Sequence, residues 1–414
     1  MITSDRLSMP EERRLADRAP LTQGPEPELV IKWHDPVTQA PGYAIIDTLA
    51  QGIAFGGVRV RRNQQWVDLA ALARIGTIRY QLARVPIGGA RLGLNYDPEA
   101  PDVEEVLTRF LTSMRPLLES VLSVGPDLHV AAPQLDRIME TAGLPWRMEA
   151  VRRGQGWPVD RWQKYNEVLD ELDGEGNTLR DVQVALSAVH ATMEMGEFLF
   201  KRAQTVAVLG AGPFGTHIAR LAAKMGATVV GVGSSSAGVY SAGGLNPAVL
   251  ESGARISLSL DPSHMFITLD EFYSLPVDAL ILASNDAVTI DNVGRIRASL
   301  VVEAAARSVS PHAEKVLVTR GTPVLPSFAV TTGAILAADA IFRGEVTTAD
   351  EARRQIGVNV RATVRDLARL SSTLRIPVRE AGMRVAFHRH DITVEPPLAE
   401  VPLYSVAEEP PEFL

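Results

Sequence analysis

Three glycines carry the clearest chemical signal in the chain. Gly210, Gly212 and Gly215 lie in VAVLGAGPFGTHIARLAAKMGATVVGVG, with Pro213 and Phe214 between the second and third. A β-rich run (205–209) precedes them, a helical pattern reaches about residue 225, and a second β-rich run (228–232) follows. This order predicts a strand, a tight turn, a helix and a strand, the unit that binds dinucleotides. Gly210 allows the turn, Gly212 lets backbone approach a pyrophosphate, and Gly215 lets helix and strand pack closely. The helix N-terminus then offers N–H groups and its positive dipole end to phosphate. Ser234 and Ser235 follow the second strand. Ser234 occupies the place where an acid would hold the ribose hydroxyls of NAD, and no arginine adjoins it to favour NADP. The cofactor expected is therefore NAD or NADP, undecided.

The elements that must position this turn follow from the rest of the chain. At 414 residues, two or three domains are expected. Residues 1–28 are polar, charged and proline-containing, and read as a flexible arm. Two β-rich runs (29–34 and 43–47) flank DPVTQAPG, which predicts a hairpin. QGIAFGGVR (51–59) leads to a helix over 68–83, and the glycine loop PIGGAR (86–91) leads to a short strand over 92–95. Apolar spacing predicts one helix over 103–122. A strand over 127–130 and a helix over 135–141 are expected next. Residues 144–180 read as irregular, with a domain junction near their end. A long helix over 182–201 enters the glycine motif. Strands at 277–283, 300–303 and 322–325, with a helix over 290–298 among them, continue a parallel sheet. Helices over 332–342, 348–373 and 377–388 follow, and the acidic, proline-rich segment 391–414 reads as a disordered tail.

Composition narrows the function classes. The net charge of −8 argues against nucleic-acid binding. The chain has no cysteine, which excludes disulfides and a thiolate nucleophile. No apolar run is long enough to span a bilayer, and the N-terminus has no apolar core of a signal peptide. A cytoplasmic protein is expected. No metal site is expected: the eight histidines are dispersed, and His388 with His390 lies next to the tail. Lysine is scarce, with only Lys32, Lys164, Lys201, Lys224 and Lys315.

FGGVR (55–59), PIGGAR (86–91) and LGAGPFG (209–215) occur in this order. SSSAGVYSAGGLN (234–246), LVVEAAARSVSP (300–311) and LPSFAVTTGAI (325–335) follow them. As a set they resemble the glutamate/leucine/phenylalanine/valine dehydrogenase family over roughly residues 29–385. The resemblance implies an α/β fold: an N-terminal substrate and oligomerisation domain (29–180), then a doubly wound Rossmann domain (181–345). C-terminal helices (346–390) would close on the cleft between them. The family reaction it implies is NAD(P)-dependent oxidative deamination of an L-amino acid. Gly56, Gly57, Arg59 and Arg79 would then line the substrate site. Gly210, Gly212, Pro213, Phe214, Gly215, Ser234, Ser235, Ala283, Ser284 and Thr331 would line the cofactor site.

The sequence departs from the family pattern where chemistry is done. The water-activating lysine expected at the end of the glycine loop is Arg91, and the carboxylate-binding lysine twelve residues earlier is Arg79. The proton-shuttling aspartate falls at Ala132 or its neighbour Ala131, and the lysine some members carry before the glycine pair is Phe55. The family's Gly-Ala-Asn is Ala304-Ala305-Ala306, its loop asparagine is Thr331, and its hinge-helix serine is Ala338. The threonine-glycine signature is missing around Asp181. Arginine can grip a carboxylate but does not deprotonate at working pH, so Arg91 cannot serve as a base. Arg59, Arg79 and Arg91 could instead converge as an anion site. Two readings result. One is a non-catalytic or regulatory subunit that binds a nucleotide and a small carboxylate or amino acid, in a homo-oligomer or a hetero-oligomer with an active paralogue. The other is an active oxidoreductase on the CH–NH2 group, with Asp127, His129 or Asp136 as the replacement acid or base.

Overall fold

The computed structural model describes residues 26–202, 204–246 and 264–387. Most of the expected arm and the whole expected tail, with His388 and His390, lie outside the described residues. Among those residues the chain forms two compact units. One holds residues up to 80 together with 86–157, and the other holds 81–85 and 158 onward. The boundary thus follows Trp157, earlier than the junction expected near 180.

The first unit is built on a five-stranded sheet of order β1-β2-β4-β3-β5. Its strands are β1 (Leu29–His34), β2 (Pro41–Ile46), β3 (Ala54–Val60), β4 (Gly88–Leu94) and β5 (Leu122–Pro126). The expected hairpin forms: β1 and β2 pair antiparallel. Its turn is tied by Asp35, which accepts from the Thr38 N–H at 2.8 Å and from Arg109 Nε at 2.7 Å. One sheet face buries Val58, Leu92 and Val124 with Phe110, Leu107 and Leu135 in a single core. These last three come from α2 (Val103–Ser113) and α4 (Ala132–Thr141). On the other face, Ile45 packs with Leu69, Ala70 and Ala73 of α1 (Trp66–Leu82). A Cβ at Gly89 would stand 2.1 Å from the Ala73 carbonyl oxygen, so this glycine permits the close approach of α1.

Register decides which residues share that α1 face. Ile45, Arg91, Gly57 and Gly125 lie side by side across β2, β4, β3 and β5. Alternation along β3 puts Phe55, Gly57 and Arg59 on one face.

Several expectations need correction. The helix over 103–122 stops at Ser113, and α3 (Arg115–Leu118) starts afresh because Pro116 fits only a first turn. The strand lies at 122–126, not 127–130: His129 has φ 59, which a strand cannot hold. Residues 144–180 contain two helices, α5 (Glu149–Gly154) and α6 (Arg161–Asp170). The second buries Val168 and Leu169 and stacks Trp162 and Tyr165 on Phe342.

The second unit carries a seven-stranded sheet of order β12-β11-β10-β6-β7-β8-β9. β6 (Thr205–Leu209), β7 (Thr228–Gly233), β10 (Ala279–Leu282), β11 (Leu300–Glu303) and β12 (Val324–Leu325) run parallel. β8 (Ala237–Tyr240) and β9 (Met265–Thr268) add an antiparallel edge. α7 (Leu179–Phe200) begins with a reciprocal capping box between Thr178 and Asp181 and leads into β6. α8 (Pro213–Lys224) joins β6 to β7, and α9 (Leu269–Tyr273) follows β9. The helix expected over 290–298 is only a short 3-10 turn (Val293–Arg295). The Asn292 side chain accepts the Thr289 N–H at 2.8 Å, a local bond that competes with helix formation. α10 (Pro311–Thr319), α11 (Ser327–Val330), α12 (Gly333–Arg343), α13 (Ala349–Leu374) and α14 (Val378–Phe387) complete the unit. α14 is pinned by a buried triad: Arg379 donates at 2.6 Å to both Glu303 and Glu314.

Candidate functional site

The β3 residues Gly57 and Arg59, the β4 residue Arg91 and the segment just after β5 meet in one cluster. Arg59 donates through Nε to Asp127 Oδ2 at 2.8 Å and through Nη2 to Asp127 Oδ1 at 3.0 Å. Arg91 Nη1 donates to the same Oδ2 at 2.8 Å. The three side chains are only 15–18% exposed. Gly57 makes this possible, since a Cβ there would stand 2.5 Å from Arg91 Nη1 and 2.8 Å from Asp127 Cβ.

Arg79, in the last turn of α1, belongs to the same electrostatic neighbourhood, for it feels the charges of Arg91 and Asp127. Its Nε is buried with no hydrogen-bond partner, and so is the Nε of Arg91. No carboxylate among the described residues pairs with Arg79. Burial pulls the Arg79 guanidinium down to about 10, and the charge of Arg91 adds to this against the opposing Tyr80 and Asp127. Burial also lowers Arg91, opposed by Asp127. Both stay cationic at neutral pH. For Asp127, burial alone would raise the carboxyl, but Arg91 and Arg59 outweigh it and hold it below the usual carboxylate range. Three guanidiniums facing one ionised carboxylate leave the cluster positive. Beside it, the Phe55 ring meets Tyr80 edge-on at 6.3 Å between centroids and lies over Gly125.

The other residues singled out in the sequence fall differently. Ala132 opens α4 and brings no polar group. His129 is exposed, with Nδ1 2.9 Å from the Val60 carbonyl oxygen. Asp136 is exposed and pairs with Arg147 at 2.6 Å. Of the three alternative acids and bases, the structure brings only Asp127 to the arginines. Arg59 is committed to Asp127 through two donors. Sequence reading missed this fork. Its available signal was the Phe55-Gly57-Arg59 alternation, which places a glycine where two charged side chains must cross.

In the second unit the glycine turn has the form a dinucleotide requires. Gly210 has φ 138, and a Cβ there would meet Ala283 Cβ at 2.8 Å. A Cβ on Gly215 would fall 1.7 Å from the Gly210 carbonyl oxygen. At Gly212 a Cβ would meet nothing within 4 Å, so the glycine leaves open space at the start of α8. Pro213 and Phe214 form the first turn of that helix. Ala283 donates its N–H to Leu209 at 2.7 Å, and Ser284 follows, half-buried. Ser234 follows β7 directly, its hydroxyl engaged in its own turn within 3.3 Å of the Ser236 and Ala237 N–H groups, while Ser235 is exposed. The buried Thr331 hydroxyl donates to the Ser327 carbonyl at 2.7 Å. Its neighbour Thr332 buries an Oγ1 with no partner, as Gln183 does its Oε1. Neither was singled out in the sequence. Among the described residues no group of His, Asp and Glu is arranged to hold a metal, and no helix is long and apolar enough to cross a membrane.

Comparison with known proteins agrees with both halves. The family model "Glu/Leu/Phe/Val dehydrogenase, dimerisation domain" matches residues 27–149, and "Glutamate/Leucine/Phenylalanine/Valine dehydrogenase" matches 176–391. Glutamate dehydrogenase of Aeropyrum pernix is 29% identical over 68% of this chain and 66% of its own length. The NADP(+)-dependent glutamate dehydrogenase of Pyrobaculum calidifontis is 29% identical over 71% of this chain and 70% of its own. Among solved structures, a hetero-hexameric glutamate dehydrogenase from Thermus thermophilus in its Leu-bound form aligns with TM-score 0.67. That match has 23% identity and covers 91% of this chain and 94% of that one. L-tryptophan dehydrogenase from Nostoc punctiforme aligns with TM-score 0.58 and 16% identity, covering 91% and 98%. With the two family models spanning most of both units, the chain belongs to the glutamate/leucine/phenylalanine/valine dehydrogenase family.

Proposed function

We propose that this chain is a ligand-binding member of its family that does not turn over substrate. It holds NAD or NADP on the glycine turn of the second unit and a small carboxylate on the arginine cluster of the first. One observation carries the reading: among the described residues every cation at the cluster is a guanidinium, and its one carboxylate is locked between two of them. Deamination needs a base that can lose its proton near neutral pH and an acid that can exchange one. Arg79 and Arg91 cannot deprotonate there, and Asp127 is held ionised. What the cluster offers is recognition. The unpartnered Nε groups of Arg79 and Arg91 suit a carboxylate acceptor.

The nucleotide fits the second unit because Gly212 leaves space and Gly210 and Gly215 allow the close turn. Gly210, Gly212, Gly215 and the first turn of α8 would hold the pyrophosphate, and Ser234 and Ser235 the ribose. When bound, the nicotinamide supplies hydride exchange in the family reaction. Oligomerisation through the first unit, as a homo-oligomer or with an active paralogue, belongs to the same proposal. It is supported by the dimerisation-domain match and by the hetero-hexamer of Thermus thermophilus.

A second reading, an active oxidoreductase on the CH–NH2 group, is favoured by the glycine turn and by relatives that are dehydrogenases by name. Reductive amination separates the two. Purified protein at high concentration is given ammonia, NADH or NADPH and a panel of 2-oxo acids, and nicotinamide absorbance is followed. We expect no turnover, with a thermal shift from nucleotide and from a 2-oxo acid. Clear turnover with any acid would overturn the first reading.

A further inference from the structure

Among the described residues Asp127 is the one negative group in the arginine cluster, and its contacts are unequal. Arg59 spends Nε and Nη2 on it, whereas Arg91 gives only Nη1 and keeps a buried, unpartnered Nε. Arg79 gives it nothing and also keeps a buried, unpartnered Nε. Gly57 provides the room in which Arg91 and Asp127 cross. A carboxylate gripped by two guanidiniums is the arrangement a bound carboxylate ligand would itself adopt.

We propose that Asp127 is an internal counter-ion that sets the charge selectivity of this site. It occupies the Arg59 face, directs an incoming carboxylate to the free donors of Arg79 and Arg91, and limits how well a second negative charge is received. This rests on the reading that the cluster binds carboxylates. Removing the Asp127 charge frees the Arg59 fork as a second anion position. Dianions then gain more than monoanions.

The test compares wild type with Asp127→Asn, using pyruvate as the monoanion and 2-oxoglutarate as the dianion. Dissociation constants come from calorimetry, and thermal unfolding is followed with and without each acid. In the variant we expect 2-oxoglutarate to bind at least tenfold tighter and pyruvate about threefold tighter. We also expect the ligand-free variant to melt lower than wild type, because two buried guanidiniums lose their partner, and saturating 2-oxoglutarate to restore the loss. Asp127→Glu keeps the charge and should keep the wild-type ratio of the two affinities. Asp127→Ser serves as a second neutral variant should the asparagine fold poorly. A lower melting point with unchanged or weaker binding of both acids would make Asp127 merely structural and overturn the proposal. So would failure of both neutral variants to fold even with 2-oxoglutarate present. If wild type itself binds neither acid, the carboxylate-site reading falls and takes this proposal with it. If wild type binds and only the selectivity shift is missing, this proposal alone falls.

Discussion

Arg79 is where a single side chain does most at the carboxylate site. It is cationic, its Nε is enclosed without a partner, and among the described residues no carboxylate pairs with it, Asp127 acting on it only at a distance. An unsatisfied buried donor of this kind is costly in the free protein and rewarding when an acceptor arrives. Arg79→Ala should therefore weaken 2-oxo acid binding at least tenfold, about 1.4 kcal/mol or more, without lowering the melting point. Calorimetry and thermal unfolding on one preparation check both. Asp127 adds a pH dependence at the same scale. Its folded carboxyl titrates below its unfolded value. Its stabilising share is thus fully present above roughly pH 4 and is lost as pH falls through the folded value. The melting-point gap between wild type and Asp127→Asn should be constant from pH 8 to about 5 and shrink below about 4. A gap that widens on acidification would contradict the Arg59–Asp127–Arg91 assignment. The arginines themselves were legible in the sequence, since residue type alone rules out a base at position 91. Their shared partner was not. Asp127 lies 68 residues from Arg59 and 36 from Arg91 in the chain. Only the register of β3, β4 and β5 brings them together.

At the scale of elements, the glycine turn and the buried triad make opposite demands on substitution. Gly212 and Gly215 belong to one motif, yet their surroundings differ. A methyl at Gly212 meets empty space, whereas at Gly215 it strikes the Gly210 carbonyl oxygen. Gly212→Ala should leave stability within about 0.5 kcal/mol of wild type and reduce dinucleotide affinity at least tenfold. Gly215→Ala should destabilise by several kcal/mol, because helix and strand must separate to admit it. Urea unfolding and nucleotide titration distinguish these outcomes. Arg379 anchors α14 to β11 and α10 through two carboxylates that have little access to water. Arg379→Met leaves both without a cation, although Glu303 keeps the Val309 and Ser327 N–H groups, and should cost about 3–5 kcal/mol, recovered in part by adding Glu303→Gln and Glu314→Gln. The strand–glycine–helix order at 205–233 could be read directly, because periodicity and glycine spacing are local. Residues 144–180 could not. The helix at 161–170 is short and its mean composition polar, and its reason to be helical is the burial of Val168 and Leu169 and the stacking on Phe342. Those partners are distant in sequence.

At the scale of the whole molecule, the two proposed ligands address different compact units, and this separates their effects. The glycine turn lies wholly within the unit that holds 158 onward, and Arg59, Arg79, Arg91 and Asp127 lie wholly within the other. A chain of two such units need not unfold in one step, so a single melting temperature can hide which unit a ligand steadies. Hydrogen exchange resolves them, because binding lowers the opening of the structure that contacts the ligand. Saturating NAD or NADP should slow exchange at β6 and the first turns of α8. Saturating 2-oxoglutarate should slow it at β3, β4 and the end of β5. In Arg79→Ala the second pattern should vanish while the first persists, and in Gly212→Ala the reverse should hold. Protection by the acid at α8 alone, with none at β3 to β5, would move the carboxylate site out of the arginine cluster and leave Arg79 and Arg91 with a structural role. The net charge of −8 makes the result more telling, since the molecule as a whole repels a dianion. Retention of 2-oxoglutarate by this acidic chain must come from a local positive site, and the Arg59–Arg79–Arg91 cluster, with Asp127 its single opposing carboxylate among the described residues, is such a site.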